Sequence, residues 1–124
     1  MPITKKNLDQ PDEHFEYGAA GEANYTVVGG SMVGRSVLRP GWNWDEYVKP
    51  YTDGDQSCPM THNEYVISGQ IRYLTDEGAE VIAGPGDHLW IGPGHRAWVI
   101  GEEPFVAIDF EVGEFEDDEE GEQG

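Results

Sequence analysis

Glycine and proline cut this chain into segments too short for ordinary helices. Gly29-Gly30, Pro40-Gly41, Gly54, Gly69, Gly78, Gly84-Pro85-Gly86 and Gly92-Pro93-Gly94 fall at close intervals. Glycine supplies the positive φ that tight turns need, and proline removes a backbone donor. The pieces between them are rich in β-branched and aromatic residues and read as strands. Tyr25–Val28 stops at Gly29-Gly30, and Ser31–Arg39 alternates up to Pro40-Gly41. Trp42-Asn43-Trp44 resumes an alternating strand, and the polar stretch 49–57 is a loop. Glu64–Ser68, Gln70–Leu74, Ala79–Ala83, His88–Ile91, Ala97–Ile100 and Phe105–Phe110 complete eight or nine short strands, with a hairpin turn at Asp76-Glu77-Gly78. No segment carries an i, i+3, i+4, i+7 stripe, so little helix is expected. Residues 1–20 are polar, hold Pro2, Pro11 and Gly18, and read as an irregular arm. The fold class is therefore all-β, a closed sandwich or barrel. A barrel of about eight strands has an interior just wide enough for side chains or one small ligand, so its mouth is the expected binding place.

Charge narrows the partners. The 124 residues suffice for one domain and carry 25 acids against 7 lysines and arginines, a formal net charge of −18. That balance excludes nucleic-acid binding, which needs a basic footprint, and an anionic membrane surface would repel the chain. No apolar run approaches the roughly 18–20 residues of a membrane span. The two lysines near the start have no apolar stretch behind them, which reads against a signal peptide and makes the cytoplasm the expected location. The single cysteine, Cys58, rules out an internal disulfide scaffold. The run from Glu111 to Gly124 holds eight acids and no base; without it the chain still has 17 acids against 7 bases. Lysine occurs only at positions 5, 6 and 49. Such a surface suits concentrated salt, where at about 1 M the Debye length falls to ~3 Å and self-repulsion is screened. Two readings stand: a halophilic protein, or an ordinary acidic one with an acidic tail.

Two stretches resemble a known family. Tyr65-Val66-Ile67-Ser68-Gly69 followed by Gln70-Ile71 resembles the end of the first cupin motif. Gly84-Pro85-Gly86-Asp87, then Ile91-Gly92-Pro93-Gly94-His95, resembles the second, and the hairpin between them has the expected length. The resemblance spans residues 25–111 and is to a small single-domain cupin of the cupin 2 type. It implies a double-stranded β-helix, or jelly-roll barrel, over 25–111; composition makes 1–24 an arm and 112–124 a disordered acidic tail. It also implies a homodimer paired through an edge of the barrel. Cupins hold a metal with two histidines and a glutamate from the first motif and a histidine from the second. Carried over by position, the glutamate falls on His62, the two histidines on Gln56 and Cys58, and the last histidine on Ala97. This sequence departs from the family pattern at all four positions.

Strand parity singles out other candidates. If 56–66 is extended, Gln56, Cys58, Met60, His62, Glu64 and Val66 point to one side, and the resemblance makes that side the interior. His95, Ala97 and Val99 share the inner face of the second motif. Cys58, His62 and His95 can then converge as metal ligands, with Gln56 and Glu64 nearby. A thiolate with two imidazoles suits Zn²⁺, with iron, manganese or nickel as alternatives, and Glu64 can add an oxygen or act as a base. Plainer roles stand beside these. Cys58 can be a small buried apolar group, His62 a hydrogen-bonded interior histidine, and His95 a partner of its own turn. His14 and His88 read as solvent-facing or structural. An inward Glu64 needs a partner, for which Arg35, Arg39 or Arg72 are available. Trp44, with Trp42, is core, interface or a stacking surface for a ligand. Lys49 either pins an anionic ligand or makes a surface ion pair. The expected function is small-molecule binding in the barrel, through Gln56, Trp44 and Lys49, with a divalent metal at Cys58, His62 and His95. The alternative is a metal-dependent enzyme of dioxygenase or isomerase type, acting on a small organic acid or sugar-like substrate with His62 and Glu64 as catalytic groups.

Overall fold

The structure is a computed structural model and describes residues 3–110. Nine strands follow in order: β1 (Glu13–Glu16), β2 (Gly21–Val28), β3 (Ser31–Leu38), β4 (His62–Ser68), β5 (Gln70–Thr75), β6 (Glu80–Ala83), β7 (His88–Ile91), β8 (His95–Ile100) and β9 (Phe105–Phe110). They form a six-stranded sheet, β1-β2-β3-β9-β4-β7, and a three-stranded sheet, β6-β5-β8. Every strand pairing in the two sheets is antiparallel. This is the expected all-β double-stranded β-helix of the cupin jelly roll. The acidic stretch 112–124 lies outside the described residues.

Two glycine sites show how the turns are dictated. Val28 pairs with Ser31, so Gly29 and Gly30 alone turn the β2–β3 hairpin, with φ of 59° and 81°. Two consecutive positive φ angles define the turn that matches strand twist, and side chains resist them. Gly69 links β4 to β5 across the two sheets at φ 77°, and a Cβ there would lie 2.7 Å from Phe105 Cα. Alternation does the rest. Val66, Ile71, Phe105 and Ala107 are essentially fully buried between the sheets, while Ile67, Arg72 and Val106 face outward or sit at the margin.

Two elements differ from the sequence expectation. The arm is irregular from Ile3 to Asp12 and then adds β1, whose four residues are all exposed. Its pairing comes from the backbone edge of β2, so no hydrophobic pattern marks it. The expected strand at Trp42-Asn43-Trp44 is instead the entry to α1 (Trp44–Tyr47). Asn43 caps it: Oδ1 accepts from Glu46 N–H at 2.8 Å, and Nδ2 donates to Glu46 Oε1 at 3.3 Å. That reciprocal pair at a three-residue spacing outweighs the local alternation. The turn is seated on β8, where Val99 N–H donates to Trp42 O at 2.9 Å and Arg96 pairs with Asp45 at 3.1 Å. Trp42 and Trp44 are thereby buried against the barrel, as one shared apolar surface.

Candidate metal centre

The space between the sheets holds a cavity of about 220 Å³. One part of its wall is apolar: Leu38, Trp42, Trp44, Ile71, Ala97 and Phe105. The other is polar: Cys58, His62, Glu64, Tyr73, His95 and Asp109. Strand parity delivers the polar set. His62 and Glu64 alternate inward along β4, Tyr73 along β5, His95 and Ala97 along β8, and Asp109 along β9. Cys58 lies before β4 and is tied to β8 by two backbone hydrogen bonds. Cys58 N–H donates to His95 O at 2.8 Å, and Gly94 N–H to Cys58 O at 2.7 Å.

The donor atoms converge. Those of Cys58, His62 and His95 all lie within 4.8 Å of one another, and so do those of His62, Glu64 and Asp109. Cys58 Sγ is 3.9 Å from His62 Nε2, and the two imidazole rings meet edge to face with centroids 5.0 Å apart. His95 Nδ1 is 2.7 Å from Gly92 O. A carbonyl only accepts, so Nδ1 carries the hydrogen and Nε2 keeps its lone pair in the neutral ring. Burial, reinforced by the nearby His95, lowers the His62 pKa to about 4. Burial also lowers that of His95, against the opposing pull of the Gly92 hydrogen bond and Asp76. Both rings are therefore neutral near pH 7, the form that binds metals.

The two carboxylates face each other. Glu64 on β4 is paired with Asp109 on β9 in register. Tyr73 Oη donates to Glu64 Oε2 at 2.5 Å, and Ser36 Oγ donates to Asp109 Oδ2 at 3.3 Å. Burial raises the Glu64 pKa, offset by hydrogen bonds from Tyr73 and Asp109. Burial first, and then Glu64, push Asp109 well above the usual carboxylate range. Like charges in so small a space favour one proton shared by the two carboxyls. Apart from the contact with Glu64, Asp109 Oδ1 is buried with no hydrogen-bond partner among the described residues.

The arginines expected to neutralise Glu64 are engaged outside the barrel: Arg35 with Asp9, Arg39 with Glu22, and Arg72 with Glu80. Tyr73 and Asp109 take their place. Of the other sequence candidates, Trp44 and Met60 line the cavity, whereas Gln56 is exposed and neither it nor Lys49 is among the lining residues. His14 bonds Asn24 and His88 bonds Asn63 on the surface. Asp109 and Tyr73 were missed. Both stand on faces readable by alternation: Phe105, Ala107 and Asp109, and Ile71 and Tyr73.

A cysteine sulfur and two neutral imidazoles form a donor set that fits a divalent ion. Cys58, His62 and His95 would hold it, and His62 is shared with the second group of donors, Glu64 and Asp109.

The fold and this site describe a small double-stranded β-helix with a cavity walled in part by sulfur, imidazole and carboxyl groups. No protein-family profile matches the chain, and no curated protein matches it in sequence. Solved structures share its fold. An RmlC-like cupin from Shewanella frigidimarina is 14% identical, with a TM-score of 0.58 over 91% of this chain and 95% of that one. The polyketide cyclase RemF from Streptomyces resistomycificus is 12% identical, with a TM-score of 0.58 over 88% and 78%. A cupin-like protein from Thermotoga maritima is 20% identical, with a TM-score of 0.51 over 82% and 81%. The architecture is thus that of the cupins, and at these identities the likeness concerns the fold alone.

Proposed function

We propose that this barrel binds one divalent transition-metal ion through Cys58, His62 and His95, and a small molecule in the cavity beside it. The observation that carries the reading is the convergence of those three donor atoms within 4.8 Å of one another in the wall of the cavity. The borderline-soft thiolate and imidazoles favour Zn²⁺ over Mn²⁺. Protein purified without chelator should contain about one equivalent of metal, and Co²⁺ loading should give a thiolate-to-cobalt charge-transfer band. Both should be lost in Cys58→Ser and His62→Ala. No metal under any loading condition overturns the reading.

The carboxylate pair supports a second reading, a metal-assisted enzyme of isomerase or dioxygenase type. A bound metal would polarise a substrate oxygen. Glu64 and Asp109, sharing a proton beside His62, would take or return a proton at the substrate. Turnover lost in Glu64→Gln with metal content intact supports it; a barrel that binds ligand without converting it leaves the first reading.

Composition supports a cytoplasmic, salt-adapted protein, for which melting should rise with KCl toward molar concentrations. A fold equally stable in dilute buffer removes the halophile idea. The exposed Trp90 on edge strand β7, and Val81 and Ile82 on edge strand β6, support a homodimer. A monomer by light scattering in high salt counts against it.

A further inference from the structure

Resting on the proposal that Cys58, His62 and His95 hold a soft divalent ion, we infer a second, alternative position for a hard one. It is made by His62, Glu64 and Asp109. Because His62 belongs to both sets, only one position fills at a time. Proximity is the first ground. One donor atom from each of these three side chains lies within 4.8 Å of the other two, and Glu64 and Asp109 stand in register on neighbouring strands. Charge is the second. Glu64 is buried, Asp109 lines the same cavity, and among the described residues no lysine or arginine does. Arg35, Arg39, Arg72 and Arg96 each pair with another acid. Buried carboxylates are ordinarily paired with a cation or bound to a metal. A shared proton relieves this pair in the metal-free chain, and a divalent ion would take its place. Support is the third ground. Tyr73 donates to Glu64 and Ser36 to Asp109, outer hydrogen bonds of the kind that aim ligating carboxylates.

The two positions differ in chemistry and in surroundings. Sulfur with two imidazoles suits Zn²⁺, whereas two carboxylates with one imidazole suit Mn²⁺. His62 and Asp109 also line a cavity of about 50 Å³ that Cys58 and His95 do not line, so the second position borders space of its own. The shared ring makes the positions rivals. A neutral imidazole has one N–H and one lone pair, so it binds one ion and not two. The ion present therefore decides what the carboxylates do. With Zn²⁺ beside Cys58 they stay a proton-sharing pair facing the cavity; with Mn²⁺ they become ligands.

The test titrates the metal-stripped full chain with Mn²⁺, read by the electron paramagnetic resonance signal of the free ion, and with Zn²⁺, read by calorimetry. Both are run in molar KCl, which screens loose binding at surface acids. The native chain should take up about one equivalent of either ion, and Zn²⁺ should displace Mn²⁺. Cys58→Ser should weaken Zn²⁺ binding by more than about tenfold and leave Mn²⁺ uptake unchanged. Glu64→Gln and Asp109→Asn should do the opposite, and their retained Zn²⁺ binding shows that the barrel is intact. Mn²⁺ uptake that falls with Cys58→Ser as Zn²⁺ binding does, or that survives both carboxylate variants, overturns the inference. So does binding of both ions together, or loss of both ions in both carboxylate variants. Zn²⁺ bound through Cys58 with no Mn²⁺ uptake overturns it and leaves the first reading standing. Zn²⁺ binding untouched by Cys58→Ser, with Mn²⁺ lost in the carboxylate variants, overturns the Cys58 reading and leaves the carboxylate position.

Discussion

The same strands treat charge in opposite ways on their two faces. Outside, on β5, Arg72 pairs with Glu80, and at the end of β3 Arg39 faces Glu22 across 3.8 Å of solvated surface. Inside, on β5, Tyr73 donates to Glu64, which faces Asp109 with no cation beside either acid. Outer pairs are exposed, screened and cheap to lose. The inner set is desolvated, so each group's protonation and hydrogen bonding are decided by its few neighbours. The contrast teaches where a chain with 25 acids keeps its chemistry: in the two carboxylates that have been denied a counter-charge.

The largest expected effect tests whether the interior is a tightly packed wall at all. Phe105 is 1% exposed and lines the cavity. Phe105→Ala should cost about 3–5 kcal/mol in chemical denaturation. A cost near that of a surface change would mean that the cavity is loosely held.

Protonation comes next. In metal-free protein the His62 pKa is near 4 folded, against 6.5 as the ordinary value. Between those values the unfolded chain binds more protons, so His62 contributes stability that is fully present above about pH 6.5 and is lost as pH falls toward 4. That contribution amounts to about 3 kcal/mol in the limit. The buried acids act the other way, because their folded affinity for protons is raised. They draw stability down as pH rises above their unfolded values. Stability curves for the native chain and His62→Gln should therefore diverge from pH 7 to 4.5, with the native chain losing more on the acid side. Parallel curves would show that burial leaves His62 unshifted.

A smaller effect is expected at the inner acid pair. Tyr73→Phe leaves Glu64 without its short hydrogen bond and should cost about 1–3 kcal/mol. It should also raise the pair's proton affinity further, read by the infrared carboxyl band against pH. On the outer face, Arg39→Ala should cost less than about 1 kcal/mol and nothing measurable in molar KCl. If Arg39 and Tyr73 substitutions cost the same, the two faces do not differ in how they treat charge.

Much of this contrast was readable beforehand. Gly29-Gly30 and the other glycine turns mark the hairpins, and alternation from Cys58 through Glu64, with His95 and Ala97, gives the inward set. Alternation also carries Asp109 inward, although a single acid late in the apolar run Phe105-Val-Ala-Ile-Asp109 reads as a strand end. Gln56 was placed inward by extending β4 parity backward, and the chain abandons regular strand geometry before His62. The α1 turn hid behind Trp-x-Trp alternation, although Asn43 and Glu46 stood at capping distance. Glu64 was assigned an arginine because sequence shows which cations exist and not which acids have already claimed them.

The two backbone hydrogen bonds that tie Cys58 to the start of β8 have a further consequence. A thiol on a wandering loop would have to be caught and stilled each time an ion arrived. Here the backbone of Cys58 is hydrogen-bonded to His95 and Gly94, so an ion taken up as proposed would meet sulfur and imidazole already side by side and would require little reordering of the chain.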